Sequence, residues 1–152
     1  MNKYSPNFTI LMANDDRAVH LLIEEALQEI HLAVEIFCVI NGEDLLDYLY
    51  RRGEYASLIN LPIPQLILLD LNMPKLDGKE VLRQLKSNSS DWRHIPIVVF
   101  TTSYQQGDMR DCYTLGANSF IVKPMTFARL VTVMTDLCHY WFKVASLPSS
   151  GW

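Results

Sequence analysis

Apolar and polar positions along this chain fall into blocks that alternate between short continuous apolar runs and helical spacing. Residues 8–13 (FTILMA) form an apolar run that stops at Asn14, Asp15 and Asp16, which predicts a first strand ending in an acidic loop. Over 17–30 the apolar residues Val19, Leu22, Ile23, Ala26, Leu27 and Ile30 recur at spacings of three and four, the pattern of an amphipathic helix. Residues 34–40 (VEIFCVI) are rich in β-branched and aromatic side chains and predict a second strand, closed by the turn pair Asn41-Gly42. Leu45, Leu46, Tyr48 and Leu49 then mark a short helix ending near Gly53. Residues 54–64 (EYASLINLPIP) contain two prolines and no clear period, so a long surface connection is expected there.

The chain is organised around 65–77, QLILLDLNMPKLD. Leu66, Ile67, Leu68 and Leu69 are apolar at every position, as suits a strand buried on both faces of a parallel sheet, and the run ends abruptly in Asp70. A turn with Pro74 and Gly78 follows, and Val81, Leu82 and Leu85 give helical spacing over 79–86. Residues 95–100 (IPIVVF) predict a fourth strand that stops at Thr101, Thr102 and Ser103. A weaker helix is expected over 105–115, with Gly116 at its C′ position. Residues 118–122 (NSFIV) form the fifth strand and end in Lys123-Pro124. A last helix over 127–144 is apolar on more than one face, with Tyr140, Trp141 and Phe142 near its end. Strands alternating with helices in this way call for a parallel sheet covered on both sides, a three-layer α/β domain. Its expected extent is 8–145, with a polar lead-in over 1–7, a short tail over 146–152 and no second domain.

Composition narrows the function classes. With 152 residues, 49% of them hydrophobic and 20% charged, one ordinary globular domain with a substantial core is expected. The net charge of −4 and the absence of a dense Lys/Arg run argue against nucleic-acid binding. No apolar stretch reaches the roughly 18 residues of a membrane span, and the N-terminus lacks a signal-peptide core, so a cytoplasmic protein is expected. Cys38, Cys112 and Cys138 are odd in number and lack CxxC spacing, which points to packing in a reducing compartment. His20, His31, His94 and His139 show no metal-ligand spacing.

In such a fold the carboxyl ends of the strands share one edge, the usual place for a ligand site. Asp15, Asp70, Thr101 and Lys123 end their strands there. Each has an ordinary explanation: a helix cap for Asp15 or Asp16, a strand-end cap for Thr101, a solvated lysine for Lys123. Together, two carboxylates, a hydroxyl and an ammonium make a site for a hard divalent cation plus an anion. Mg²⁺ takes one or two carboxylates with waters and phosphate oxygens, while the lysine and threonine neutralise and hydrogen-bond a phosphoryl group.

Asn14-Asp15, Asp70 within LLDLNMPKLDG, Thr101 and Lys123-Pro124 together resemble the receiver domain of two-component response regulators over roughly residues 9–142. The long connection at 54–64 and the closing YWFKVASLP segment are similar to single-domain regulators that work with bacterial, especially cyanobacterial, phytochrome histidine kinases. The resemblance implies a doubly wound (βα)5 fold with flavodoxin-like strand order 2-1-3-4-5. Asp70 would accept a phosphoryl group from the kinase's phosphohistidine. Asp15, Asp70 and the backbone carbonyl of Asn72 would bind Mg²⁺; Thr101 and Lys123 would contact the phosphoryl oxygens; Phe120 would switch rotamer with Thr101. Lys123 would precede a cis proline. The protein would be a phosphoacceptor that assists only its own phosphorylation and dephosphorylation, not an enzyme. Its signal would leave through the surface to a downstream protein. The apolar faces of the last helix point to a homodimer contact there and on the fourth-helix and fifth-strand face, with a tail folded back over the helix as the alternative.

One departure is Asn14, where receivers commonly carry a further acid. On this alignment direct metal ligation by Asp15 survives and the pocket loses a negative charge, so weaker Mg²⁺ binding is expected. A shift by one residue, making Asp15-Asp16 the pair, would place Asn14 inside the strand and spoil the register of the first helix. The alternative function is a phosphorylation-independent interaction module, which Asn14 alone favours. A phosphatase with an aspartyl nucleophile would need an acid where Asn72 stands, and an FMN carrier would need a Gly/Ser/Thr-rich loop where the chain reads NDDR.

Overall fold

The computed structural model describes residues 8–58 and 60–148. The expected lead-in over 1–7 and the last four residues of the tail lie outside them. Strand β1 (Phe8–Ala13) leads to helix α1 (Arg17–Gln28), β2 (Val34–Val39) to α2 (Gly42–Tyr50), β3 (Leu66–Leu69) to α3 (Gly78–Leu85), β4 (Ile97–Thr101) to α4 (Gln106–Thr114), and β5 (Ser119–Val122) to α5 (Phe127–His139). The five strands form one parallel sheet in the order β2-β1-β3-β4-β5. This is the three-layer arrangement that the pattern predicts, with the doubly wound strand order that the resemblance implies.

Strand side chains alternate between two cores. Leu11, Ala13, Ile67, Leu69, Ile97 and Val99 pack with Leu45, Leu49, Val81, Leu82, Leu85 and Cys112 of α2, α3 and α4. Ile10, Met12, Leu66, Leu68, Val98 and Phe100 pack with Ile23, Ala26, Leu130, Met134 and Cys138 of α1 and α5. β3 is fully buried on both faces, which is why its sequence shows no polar alternation.

The chain between α2 and β3 is more ordered than its aperiodic sequence suggests. A short 3₁₀ turn, Gly53–Tyr55, opens it. The Tyr48 hydroxyl donates to the Pro62 carbonyl at 2.9 Å, and the Arg51 guanidinium donates to the carbonyls of Tyr48 and Leu61. Two side chains at the end of α2 thus hold a connection that has no period of its own.

The last helix also departs from the expected single run to 144. After His139 the backbone widens into a π-helical segment, Tyr140–Val144. Phe142 is buried there and stacks on Phe8 with ring centroids 4.4 Å apart, while Tyr140 and Val144 stay exposed. Leu147 folds back against the same core. Gly116 lies at φ +106 after α4, in the left-handed C′ conformation expected of it. No described helix is long and apolar enough to cross a membrane.

Candidate phosphoryl and cation site

The site is built at the carboxyl edge of the sheet. Ala13 and Leu69 are register partners, and the Asp70 N–H donates to the Ala13 carbonyl at 3.0 Å, so the residues after β1 and β3 lie side by side. Of the acidic cluster after β1, Asp16 caps α1 by accepting from Ala18 N at 2.9 Å. Asp15 is exposed and takes no part in that cap. Asn14 is buried.

Asp70 is only 9% exposed. Burial pushes its carboxyl above the usual carboxylate range; the Lys123 ammonium, the Thr101 hydroxyl and the backbone amides of Leu71 and Asn72 pull it back. The Leu71 N–H donates to Asp70 Oδ1 at 2.9 Å. Gly78 permits this crowding, since a Cβ there would stand 2.4 Å from the Asp70 carbonyl oxygen. Nothing in the spacing of 70–78 alone reveals that contact.

Thr101 is fully buried, and its Oγ1 accepts from Ser103 N at 3.4 Å. β5 is anchored beside it by the Lys123 N–H donating to the Thr101 carbonyl at 2.7 Å. The Lys123 ammonium lies 5.9 Å from the centre of the Phe100 ring. The Lys123–Pro124 bond is not cis, against the expectation: no cis peptide bond occurs among the described residues. Trans is also the intrinsic preference of an X–Pro bond. Phe120, on the other side of β5's start, is half-buried and packs against the α2–α3–α4 core, its N–H donating to the Tyr113 hydroxyl at 3.2 Å.

Asp70, Thr101 and Lys123 therefore converge, with Asn14 and Asp15 on the adjoining strand end. Asn72 is exposed on the following turn. The donors available to a cation are all oxygens: the Asp15 and Asp70 carboxylates and a backbone carbonyl. That set fits a hard divalent ion that keeps several waters, and no described cluster of three or more His, Cys, Asp or Glu side chains offers a closed cage instead. The sequence gives no sign of the partners of Ser103: its hydroxyl donates to Asp108 at 2.6 Å, and Asp108 in turn pairs with Lys79 at 2.8 Å. This chain of bonds ties the loop after Thr101 to α3 and α4. The thiols play no part: burial pushes Cys38 and Cys112 up to about 11 and Cys138 up to about 12.

A doubly wound sheet of this order with an acid, a hydroxyl and a lysine at its carboxyl edge defines the receiver class, and residues 10–135 match the model of the response regulator receiver domain. The chain belongs to that family. It is 34% identical to response regulator Rcp1 of Synechocystis over 146 residues, covering 96% of this chain and 97% of that protein. Among solved structures it is similar to the phosphorylated cyanobacterial phytochrome response regulator RcpA, with 37% identity and a TM-score of 0.84, covering 93% of this chain and 99% of that one. The Mn²⁺-bound form of Rcp1 superposes with a TM-score of 0.83 at 34% identity and the same coverage.

Proposed function

We propose that this receiver accepts a phosphoryl group on Asp70 from a histidine kinase of the phytochrome type and signals in the cytoplasm through protein–protein contacts. The observation that carries the reading is the buried Asp70 carboxyl facing both the Lys123 ammonium and the Thr101 hydroxyl. The names of its relatives support the choice of kinase.

In the transfer, an Asp70 carboxylate oxygen attacks the phosphorus of the kinase's phosphohistidine. An O–P bond forms as the N–P bond breaks, and the imidazole leaves with that bond's electron pair and takes up a proton from solvent. Such a reaction needs positioning and charge neutralisation more than covalent help. A carboxylate carries the attacking electron pair itself, so Asp70 needs no general base; burial raises its pKa, and Lys123, Thr101 and the amides of Leu71 and Asn72 oppose that shift. Thr101 and Lys123 orient and neutralise the transferred oxygens. A divalent cation, Mg²⁺ in this reading, would be held by Asp15, Asp70 and the Asn72 carbonyl, and supplies further positive charge to those oxygens.

Thr101 and Phe120 form the lever to the surface. The exposed apolar residues Tyr104, Tyr113, Val122, Met125 and Phe127 lie on and around α4, β5 and the start of α5. They support this face, with the last helix, as the contact for a homodimer and a downstream protein. The second reading, a phosphorylation-independent module, draws on Asn14 alone. Phosphotransfer from an autophosphorylated phytochrome histidine kinase tests the proposal: label is expected to move to the wild type and not to Asp70→Asn. No transfer, while acetyl phosphate still labels Asp70, would overturn the choice of kinase. No label from either donor would favour the second reading.

A further inference from the structure

Asn14, at the end of β1 beside Asp70, has one polar group without a partner. Asn14 is 1% exposed and follows Ala13, whose carbonyl accepts the Asp70 N–H. Three of its four polar groups are engaged. Its N–H donates to the Val39 carbonyl at 3.0 Å, its carbonyl is 2.6 Å from His20 Nε2, and its Oδ1 accepts from Asp16 N at 2.8 Å. The last bond fixes the amide's orientation, because reversing it would set the NH₂ group against the Asp16 N–H, donor to donor. Nδ2 is left buried without a partner. A buried donor of this kind is costly until an acceptor arrives.

The chemistry of that acceptor can be narrowed. An acid at this position would accept a hydrogen bond from a water on the bound cation. Nδ2 is a donor and cannot do this, and a cation-bound water, with its oxygen turned to the metal and its hydrogens outward, is a poor acceptor for it. Asp70 does not satisfy Nδ2 in the unmodified protein either. A phosphoryl group on Asp70 would bring three anionic acceptor oxygens to the adjoining strand end.

We propose that Asn14 Nδ2 donates a hydrogen bond to the phosphoryl group on Asp70, so that this corner of the pocket favours the anion where an acid would favour the cation. The inference rests on the reading of Asp70 as phosphoacceptor. It makes Asn14 a positioning residue for the phosphorylated state, and the substitution an exchange of cation affinity for anion affinity.

Beryllium fluoride, a phosphoryl stand-in, tests this on the full chain by titration calorimetry at saturating Mg²⁺, with a parallel Mg²⁺ titration in its absence. Asn14→Leu removes the donor without adding charge and is expected to bind beryllium fluoride about ten-fold more weakly than the wild type. Asn14→Asp preserves the oxygen that accepts from Asp16, and so serves if the leucine variant does not fold. Its two affinities are expected to move in opposite directions: tighter for Mg²⁺ and weaker for beryllium fluoride. Unchanged beryllium fluoride binding in a folded Asn14→Leu, or both affinities of Asn14→Asp moving the same way, would overturn the proposal. Failure of the wild type to bind beryllium fluoride at all would instead remove the reading of Asp70 on which it rests.

Discussion

Burial and charge pull on Asp70 in opposite directions. Its folded pKa is raised above its unfolded value, so its contribution to stability is fully present below the unfolded pKa and is lost as pH rises through the folded one. At neutral pH the ionised side chain is a net liability that function retains. Asp70→Asn is therefore expected to raise the thermal midpoint in metal-free buffer at pH 7, by about 2–4 °C for each kcal/mol gained, and to raise it less near pH 4. Melting curves at the two pH values check both the sign and the trend. The position of Asp70 was legible because a run of large apolar residues stops at it, and Asp15, Thr101 and Lys123 stood out in the same way. What supports them was not. The approach of Gly78 to the Asp70 carbonyl, the His20 contact with Asn14 and the Ser103–Asp108–Lys79 chain join residues whose relation appears only once the sheet is wound.

At the scale of elements, order and type followed from period, and the boundaries moved where side chains outside the pattern took over. The π-helical end of the last helix seats Phe142 on Phe8, a contact between opposite ends of the described chain that no local period encodes. The α2–β3 connection is held by Tyr48 and Arg51, which in sequence read only as the end of a helix. Lys86 does similar work at the end of α3. Its ammonium donates to the carbonyls of Arg93 and Ile95 at 2.9 and 2.8 Å, and its stem packs on Gly116. Burial lowers its pKa to about 8. A neutral amine still has two N–H donors, enough for both carbonyls. Because the folded pKa is depressed, this contribution is present above the unfolded value of 10.5 and is lost as pH falls through about 8. Denaturant unfolding from pH 7 to 10 is expected to show the wild type gaining stability relative to Lys86→Met. Parallel pH profiles for the two proteins would contradict it.

For the molecule as a whole, the two cores hold the sheet from both sides, while the outer surface around α4, β5 and the start of α5 carries exposed apolar side chains. Met125 is 97% exposed and Tyr104 76%, with Tyr113, Val122 and Phe127 also open to solvent. The sequence suggested contact surface on the last helix, but most of that helix's excess hydrophobicity is spent inward: Leu130, Met134, Leu137 and Phe142 are buried. Phe127 at its start and Tyr140 and Val144 at its end remain exposed. The contact is thus expected to centre on Tyr113, Val122, Met125 and Phe127, with the end of the last helix at its margin. Sedimentation equilibrium is expected to show a dimer that Met125→Glu weakens; a monomer at high concentration, with and without beryllium fluoride, would remove the dimer.

The proposed function and the role given to Asn14 both depend on Asp70 taking up a phosphoryl group. Intact mass after incubation with acetyl phosphate and Mg²⁺ measures that directly. One phosphate is expected on the wild type and none on Asp70→Asn. An unmodified wild type, or an Asp70→Asn variant that still acquires the phosphate, would contradict the assignment.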